Sequence, residues 1–167
     1  NTANIGLENT DITTNERGAI VVNDTCESSV PGVYAVGDVN GGPQFTYISL
    51  DDFRIVFGAL TGNGQYTLKD RKNIPYTTFL TPPLARVGLT EEDAINKGYT
   101  VKTKEMLVAT MPRAHVNDYL KGAFKIVVNA DNDLILGATL YSQGAEELIN
   151  LIKMAMDNNI SYTYFKN

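Results

Sequence analysis

The residues with the clearest chemical potential are Gly37 and Asp38, which follow the apolar run 33–36. Glycine has no side chain, so a ligand can approach the backbone at this position. An ionised aspartate only accepts hydrogen bonds, which suits the hydroxyl groups of a sugar or polyol. Open α/β sheets bind ligands at the carboxyl ends of their strands, which is where Asp38 lies if 33–36 is a buried strand. The pattern therefore predicts a ligand site at Asp38.

A second interpretation of the same residues stays open when only their types are considered. A strand that ends in Gly-Asp is common, and the Asp38 side chain could cap a turn without binding any ligand. The choice between a binding carboxylate and a turn cap depends on the elements around it.

Other residues that could do chemistry give weaker signals. The single histidine, His115, lies in a polar stretch and is interpreted as a surface residue in a loop. The single cysteine, Cys26, has polar neighbours and no disulfide partner, and it is interpreted as incidental. Asp51 and Asp52 are adjacent on a predicted helix and do not face each other, so they are not expected to form a catalytic pair. No catalytic residue and no metal site are predicted in this chain.

The composition excludes several classes of function. The chain has 167 residues with 43% hydrophobic and 20% charged content, which is typical of a globular protein. Its net charge of −5 argues against nucleic acid or an anionic membrane as a partner. No apolar run approaches the ~20 residues that cross a bilayer, and the first residues lack a signal-peptide pattern. Because nothing demands an oxidising compartment, a cytoplasmic location is predicted.

The elements that would position the Gly-Asp site lie in the first part of the chain. Short strands are predicted over 18–23 and 33–36, each bounded by turn residues. A helix predicted over 45–60, with Pro43 placed to open it, would add the N–H groups and the positive dipole end of its first turn. Its two apolar stripes predict burial on more than one side. A domain boundary is predicted near residue 72.

The second part of the chain favours an antiparallel sheet with helices on one face, an α+β fold. Strands are predicted over 74–80, 85–89, 101–109, 123–129 and 134–141. A short helix is predicted to begin with Thr90 as its N-cap and to close at Gly98. A longer helix is predicted over 143–158 and carries two apolar stripes, and a last turn covers 160–165.

Two motifs resemble one known family. Thr25 and the run Val33-Tyr34-Ala35-Val36-Gly37-Asp38 resemble the second flavin motif of the pyridine nucleotide–disulfide oxidoreductases, which include glutathione reductase, dihydrolipoamide dehydrogenase and mercuric reductase. The stretch Thr81-Pro82-Pro83-Leu84-Ala85-Arg86-Val87-Gly88-Leu89-Thr90-Glu91 is similar to the PPxxxVGLTE box of the same family. Met111-Pro112-Arg113-Ala114 resembles the branch that reduces hypothiocyanous acid or defends against reactive chlorine.

The resemblance implies a cofactor and the residues that would bind it. Asp38 would bind a ribityl hydroxyl of FAD, beside Gly37. The backbone at Phe45, Thr46 and Tyr47 would face the flavin ring. In the whole protein, NAD(P)H would supply electrons for a small-molecule disulfide or oxidised thiol-type substrate. The family's redox cysteines and its catalytic His-Glu box are not in this chain, so the chain alone is expected to be inactive, with its partial FAD site empty.

The resemblance also implies a division of the chain. Residues 1–72 would be the C-terminal strand–helix segment of an FAD-binding domain, and the chain is expected to be cut at its start. Residues 73–167 would be a dimerisation domain, truncated before the catalytic box, that forms a homodimer through residues after Asn73. The alternatives are a stand-alone dimerisation or binding module without flavin and, more remotely, an unrelated ligand-binding protein with an accidental Gly-Asp turn.

Overall fold

The computed structural model describes residues 2–166. The chain divides into two compact units, the first ending at Arg71 and the second beginning at Lys72. The first unit consists mainly of turns and one long helix, whereas the second contains a sheet with helices. None of the helices within the described residues is both long and apolar enough to cross a membrane.

The strands predicted over 18–23 and 33–36 are wrong in extent. Each segment pairs at a single residue, and the isolated bridges are Thr14–Ile20 and Glu27–Tyr34. Each bridge closes a turn, over residues 16–18 and 29–32 respectively, and the ladder does not extend beyond the one bridged pair. An apolar run reports neither burial, since Val21, Val33 and Val36 are 39–46% exposed, nor whether a long partner strand is available.

The first long helix, α1, spans Thr46–Thr61, one residue later at each end than predicted. It ends at Gly62, whose φ of 71° is left-handed and whose N–H donates to the Gly58 carbonyl. Its buried residues are Ile48, Asp52 and Ile55. Its large apolar residues at 50–65% exposure are Leu50, Phe53, Phe57 and Leu60. The prediction that this helix is buried on more than one side is therefore wrong, because one stripe alone is covered.

The second unit contains a five-stranded antiparallel sheet with the strand order β1-β2-β5-β4-β3. The strands are β1 Tyr76–Thr78, β2 Leu84–Gly88, β3 Val101–Leu107, β4 Ala123–Asn129 and β5 Ile135–Tyr141. The β4–β5 hairpin aligns Ala123 with Tyr141, and β2 pairs along the other edge of β5. This arrangement confirms the predicted α+β fold with an antiparallel sheet.

The core of the second unit lies between the sheet and the last long helix, α4, which spans Ala145–Asp157. Its fully buried members are Ala85, Val87, Ala138, Leu140, Ala145 and Ile149, with Phe124, Ile152 and Met156 packed around them. The register explains the set, because Ala85 pairs with Leu140 and Val87 with Ala138 and so they share one face of the sheet. The outer side of α4 carries Leu148, Leu151 and Met154, which are exposed by 40–55%.

The short helix α2, Glu91–Asn96, begins as predicted at Thr90. The Thr90 hydroxyl accepts a hydrogen bond from the Asp93 N–H at 3.0 Å, and the Asp93 carboxylate accepts from the Thr90 N–H at 3.2 Å. This is a capping box, in which each residue satisfies a backbone donor of the other. The chain turns at Gly98, where φ is 84°, before β3 begins.

The loop predicted around His115 is wrong, because Pro112–Val116 forms a short helix, α3. Pro112 is its first residue, a position that proline favours because the missing N–H has no partner in a first turn. The His115 Nε2 lies 2.7 Å from the Ala109 carbonyl oxygen, and the side chain is exposed as predicted. The preceding strand stops at Leu107, earlier than predicted.

Candidate functional site

The candidate site is built on the turn Gly37–Asn40, a single 3-10 helix that follows the buried Ala35. Gly37 has a φ of 73°, in the left-handed region that favours glycine. A Cβ at this position would lie 2.5 Å from the Ser49 Oγ, which is on α1. Position 37 therefore needs glycine for two reasons: its backbone conformation and the close approach of α1.

One buried carboxylate ties this turn to α1. The Asp52 side chain is fully buried, and its Oδ2 accepts hydrogen bonds from the Gly37 N–H at 2.7 Å and the Asn40 Nδ2 at 2.9 Å. Its Oδ1 accepts from the Arg71 Nη2 at 2.5 Å. A buried charge is tolerated when it is paired and hydrogen-bonded, and Asp52 meets both conditions. The turn, α1 and Arg71 are thereby linked through one side chain.

Arg71 connects both neighbouring acids of α1. Its Nε donates to the Asp51 Oδ2 at 2.8 Å, while its Nη2 binds Asp52. Burial lowers the pKa of Arg71, but the hydrogen bonds and charges of Asp52 and Asp51 outweigh it and raise that pKa overall. The guanidinium bridges two adjacent carboxylates that do not face each other, since its donors point in different directions.

The sequence reasoning missed Asp52, although the chain carries a signal for it. Asp52 falls in the same helical stripe as Ile48 and Ile55, the other buried residues of α1. An acid at an apolar stripe position must be paired, because an isolated buried charge is costly. The paired cation is Arg71, which lies 19 residues from Asp52 in the sequence. No spacing rule in the sequence identifies that residue as the partner.

Asp38 presents a carboxylate that the described protein does not use. Its side chain is exposed, and no group among residues 2–166 donates a hydrogen bond to it. The turn is closed instead by the backbone, with the Gly41 N–H donating to the Asp38 carbonyl at 3.2 Å. The carboxylate is thus not the cap of this turn in the structure, and it is available to accept a hydrogen bond from a ligand hydroxyl.

Phe45, Thr46 and Tyr47 lie at the start of α1, as predicted. Phe45 occupies the N-cap position with extended φ and ψ, and no side chain caps the helix there. The Phe45 and Tyr47 rings stack with centroids 5.4 Å apart, and Tyr47 is 43% exposed. No acidic residue lies in the first turn. The positive end of the helix dipole is therefore available to an electron-rich atom of a ligand.

These features fit a flavin polyol and ring. The residue after the buried Gly37 offers an unpartnered carboxylate, and α1 begins without a side-chain cap. The Asp52 hydrogen bond to Gly37 and the packing of Ser49 against it bring the turn and α1 into one site.

Cys26 does not supply a reactive thiol to this turn. Cys26 is fully buried, and burial together with the negative charge of Asp52 raises the pKa of its thiol to about 11. It was interpreted as incidental from its polar neighbours, which gave no sign that it is buried. The part of the chain that the structure describes contains no group of three or more metal-ligating side chains.

Comparison with known proteins finds matching families for both parts of the chain. Residues 74–167 match the family described as the dimerisation domain of pyridine nucleotide-disulphide oxidoreductases, and residues 1–52 match a second pyridine nucleotide-disulphide oxidoreductase family. The chain is 45% identical to the probable pyridine nucleotide-disulfide oxidoreductase RclA of Escherichia coli over 99% of its length, and 36% identical over 93% to a mercuric reductase of Staphylococcus aureus. These matches cover 37% and 28% of the two relatives, so the chain spans about a third of their length.

Solved structures agree with these sequence matches. The HOCl-induced flavoprotein disulfide reductase RclA from Escherichia coli superposes with a TM-score of 0.90 over 98% of this chain and 38% of its own. LpdA from Mycobacterium tuberculosis, at 25% identity, superposes with a TM-score of 0.82 over 96% of this chain and 35% of its own. Family motifs, sheet topology and fold lead to the same conclusion: the chain belongs to the pyridine nucleotide-disulphide oxidoreductase family.

Proposed function

We propose that this chain supplies one wall of the flavin pocket and the homodimer interface of an FAD-dependent NAD(P)H oxidoreductase. The observation that carries the proposal is the unpartnered Asp38 carboxylate, held on a glycine-specific turn that is bonded to the start of α1. Residues 1–72 would belong to the FAD-binding domain and 73–167 to the dimerisation domain.

In this proposal, each site residue has a role set by its chemistry. The Asp38 carboxylate accepts a hydrogen bond from a ribityl hydroxyl, and glycine at position 37 lets the turn beside Asp38 pack against Ser49 of α1. The backbone of Phe45, Thr46 and Tyr47 places the positive end of the α1 dipole beside the flavin ring. When bound, FAD supplies the relay of electrons from NAD(P)H to the disulfide centre of the whole protein.

The proposed substrate is a small disulfide or oxidised thiol-type molecule. We favour hypothiocyanous acid, or a role in defence against reactive chlorine, because Met111-Pro112-Arg113-Ala114 resembles that branch and the similar RclA structure is described as HOCl-induced. The 167-residue chain has one cysteine, so it cannot itself provide a redox pair. We therefore expect no turnover from the chain alone. The cytoplasmic location stays a prediction.

The experiment is purification of the complete product of the gene, followed by absorbance across the flavin bands and NADH and NADPH oxidation assays with a disulfide or hypothiocyanous acid. Stoichiometric flavin and substrate-dependent oxidation would support the proposal. A colourless dimer would favour the stand-alone dimerisation module instead. The 167-residue chain with added FAD is the control, and a rate above that of free flavin would contradict its expected inactivity.

A further inference from the structure

We propose that Asp52 is a positioning residue that fixes the Gly37–Asn40 turn for flavin binding, with Arg71 holding the Asp52 carboxylate in place. This inference rests on the proposed flavin function and adds two residues that do not touch the cofactor. It concerns how the unpartnered Asp38 carboxylate comes to point where a ribityl hydroxyl can reach it.

The two carboxylate oxygens of Asp52 accept hydrogen bonds from different parts of the chain. Both donors to Oδ2, the Gly37 N–H and the Asn40 Nδ2, belong to the turn, at its first and last residues. The donor to Oδ1 is Arg71, outside the turn. The Asp52 carboxylate therefore holds both ends of the turn through hydrogen bonds. Asp38 directly follows Gly37, the first of the two bonded residues.

The buried Asp52–Arg71 ion pair is better explained by a role in positioning the turn than by a contribution to stability. Replacement of a buried ion pair by apolar residues is often neutral or stabilising, so such a pair is weak evidence for a stability role. Ile48 and Ile55 show that the same stripe of α1 accepts large apolar side chains. An apolar residue at position 52 would leave the Gly37 N–H without its acceptor, and the turn that carries Asp38 would lose its anchor.

The chain offers a matched control for a test of Asp52. Asp51 is the neighbouring acid, binds the same guanidinium at 2.8 Å and has no hydrogen bond to the turn. The Asp52→Asn variant keeps one acceptor oxygen and replaces the other with an NH₂ group, which is a donor. That NH₂ must face either the two turn donors or Arg71, so one side of the residue loses its hydrogen bonds. Asp51→Asn makes the same chemical change without affecting any donor of the turn.

The experiment measures the FAD dissociation constant of the complete gene product by flavin fluorescence titration of apoprotein. Near-UV circular dichroism verifies that each variant is folded. We expect Asp52→Asn to raise the dissociation constant by about tenfold or more, since hydrogen bonds to charged groups are among the strong ones. Asp51→Asn is expected to change it by less than about threefold, as is usual for a partly exposed pair.

A double variant separates positioning from a general loss of stability. If Asp52 acts by orienting Asp38, then Asp52→Asn adds little once Asp38→Ala has removed the carboxylate, and the two effects are non-additive. Independent, multiplying effects would overturn the proposal. If Asp52→Asn does not fold, Asn40→Ala is the second test, because it removes a turn donor to Asp52, together with local bonds to Ala35 and Gly42, and leaves the Asp52–Arg71 pair intact. The proposal fails if Asn40→Ala weakens FAD binding no more than Asp51→Asn does.

The wild-type protein distinguishes this inference from the function on which it rests. A gene product that does not bind FAD would overturn both the proposed function and the positioning role. A gene product that binds FAD, with Asp52→Asn indistinguishable from Asp51→Asn, would overturn the positioning role alone.

Discussion

Asp38 and Asp52 show how the surroundings of a residue separate two side chains of the same type. Asp52 is fully buried and accepts three hydrogen bonds, two from the turn and one from Arg71. Asp38 is exposed and has no hydrogen-bond donor among the described residues. The first carboxylate is satisfied by the protein itself, whereas the second is left for the proposed ribityl hydroxyl.

The first prediction concerns Asp38→Ala in the complete gene product. Loss of a hydrogen bond to a charged group costs about 1.5–3 kcal/mol, so we expect the FAD dissociation constant to rise by about ten- to 150-fold. Fluorescence titration of the apoprotein measures it. Asp11→Ala is the control, because Asp11 is also exposed, in the same unit, and its side chain has no described hydrogen bond. Equal flavin affinity in the two variants would contradict the role of Asp38.

The second prediction concerns the alkaline stability of the protein and rests on Cys26. Burial and the charge of Asp52 raise the pKa of this thiol from 9.0 to about 11 in the folded state. The unfolded thiol therefore loses its proton first. The stabilising contribution is complete below about pH 9 and is lost as the pH rises toward about 11.

Urea unfolding of wild type and Cys26→Ala between pH 7.5 and about 10.5 measures this effect. The free energy of unfolding should fall more steeply with pH in the wild type than in the variant. Burial also raises the pKa values of Tyr47 and Tyr66, but both tyrosines are present in both proteins, so the difference reports Cys26. Parallel pH profiles would show that the thiol does not titrate as expected.

Residue-scale chemistry was only partly predictable from the sequence. The residue types of Gly37 and Asp38 left a turn cap open, and their resemblance to a flavin motif is what predicts a ligand site there. The partners of Asp52 could not be predicted, because its donors come from positions 37, 40 and 71, and no local pattern relates them. Burial of Cys26 was hidden for the same reason, since its sequence neighbours are polar.

Helices and strands were predictable where the residues that define them are close together in the sequence. The start of α2 was predicted because the capping box involves Thr90 and Asp93, which are close in sequence. The strands over 18–23 and 33–36 were predicted too long because an apolar run does not show how far pairing extends, and each segment pairs at one residue only. The helix α3 was missed because it is one short turn whose main signal is Pro112.

The third prediction concerns this cap and belongs to the scale of the element. Thr90→Ala removes the acceptor for the Asp93 N–H, and the free energy of unfolding should fall by about 0.5–2 kcal/mol near neutral pH. Hydrogen bonds from Thr90 lower the pKa of Asp93, so this carboxylate stabilises the fold above its unfolded pKa of about 3.8. That contribution is lost as the pH falls through the folded pKa.

Thermal or urea unfolding at neutral and acid pH tests the cap. We expect the stability gap between wild type and Thr90→Ala to narrow in acid, where protonation of Asp93 removes its part of the box. Thr90→Ser is the matched variant, because serine keeps the hydroxyl and is an equally good N-cap. A serine variant as destabilised as the alanine variant would indicate that lost packing, not the cap, is responsible.

At the scale of the whole molecule, the fold of the second unit followed from the order of its elements. Strands, a hairpin and a long helix leave few arrangements other than an antiparallel sheet with the helix packed on it. The sequence pattern of α4 also contained more apolar residues than one sheet can cover. Ile149 is buried against the sheet, whereas Leu148, Leu151 and Met154 stay 40–55% exposed.

The last prediction uses these outer residues of α4 to test the proposed homodimer. Burial of a leucine side chain is worth about 1.5–3 kcal/mol, and a glutamate in its place would bring an unpaired charge into an apolar contact. We expect the complete gene product to sediment as a dimer at micromolar concentration. Leu151→Glu should raise the dimer dissociation constant by at least about tenfold, because the loss exceeds 1.4 kcal/mol.

Ile95→Glu is the control for the dimer test, because Ile95 is similarly exposed at 55% but lies on α2. Sedimentation of both variants separates a specific contact of α4 from a general effect of added charge. If Ile95→Glu dissociates the dimer equally, the outer face of α4 is not the interface. A monomeric wild type would contradict the homodimer itself, and the exposed stripe of α4 would then require a different partner.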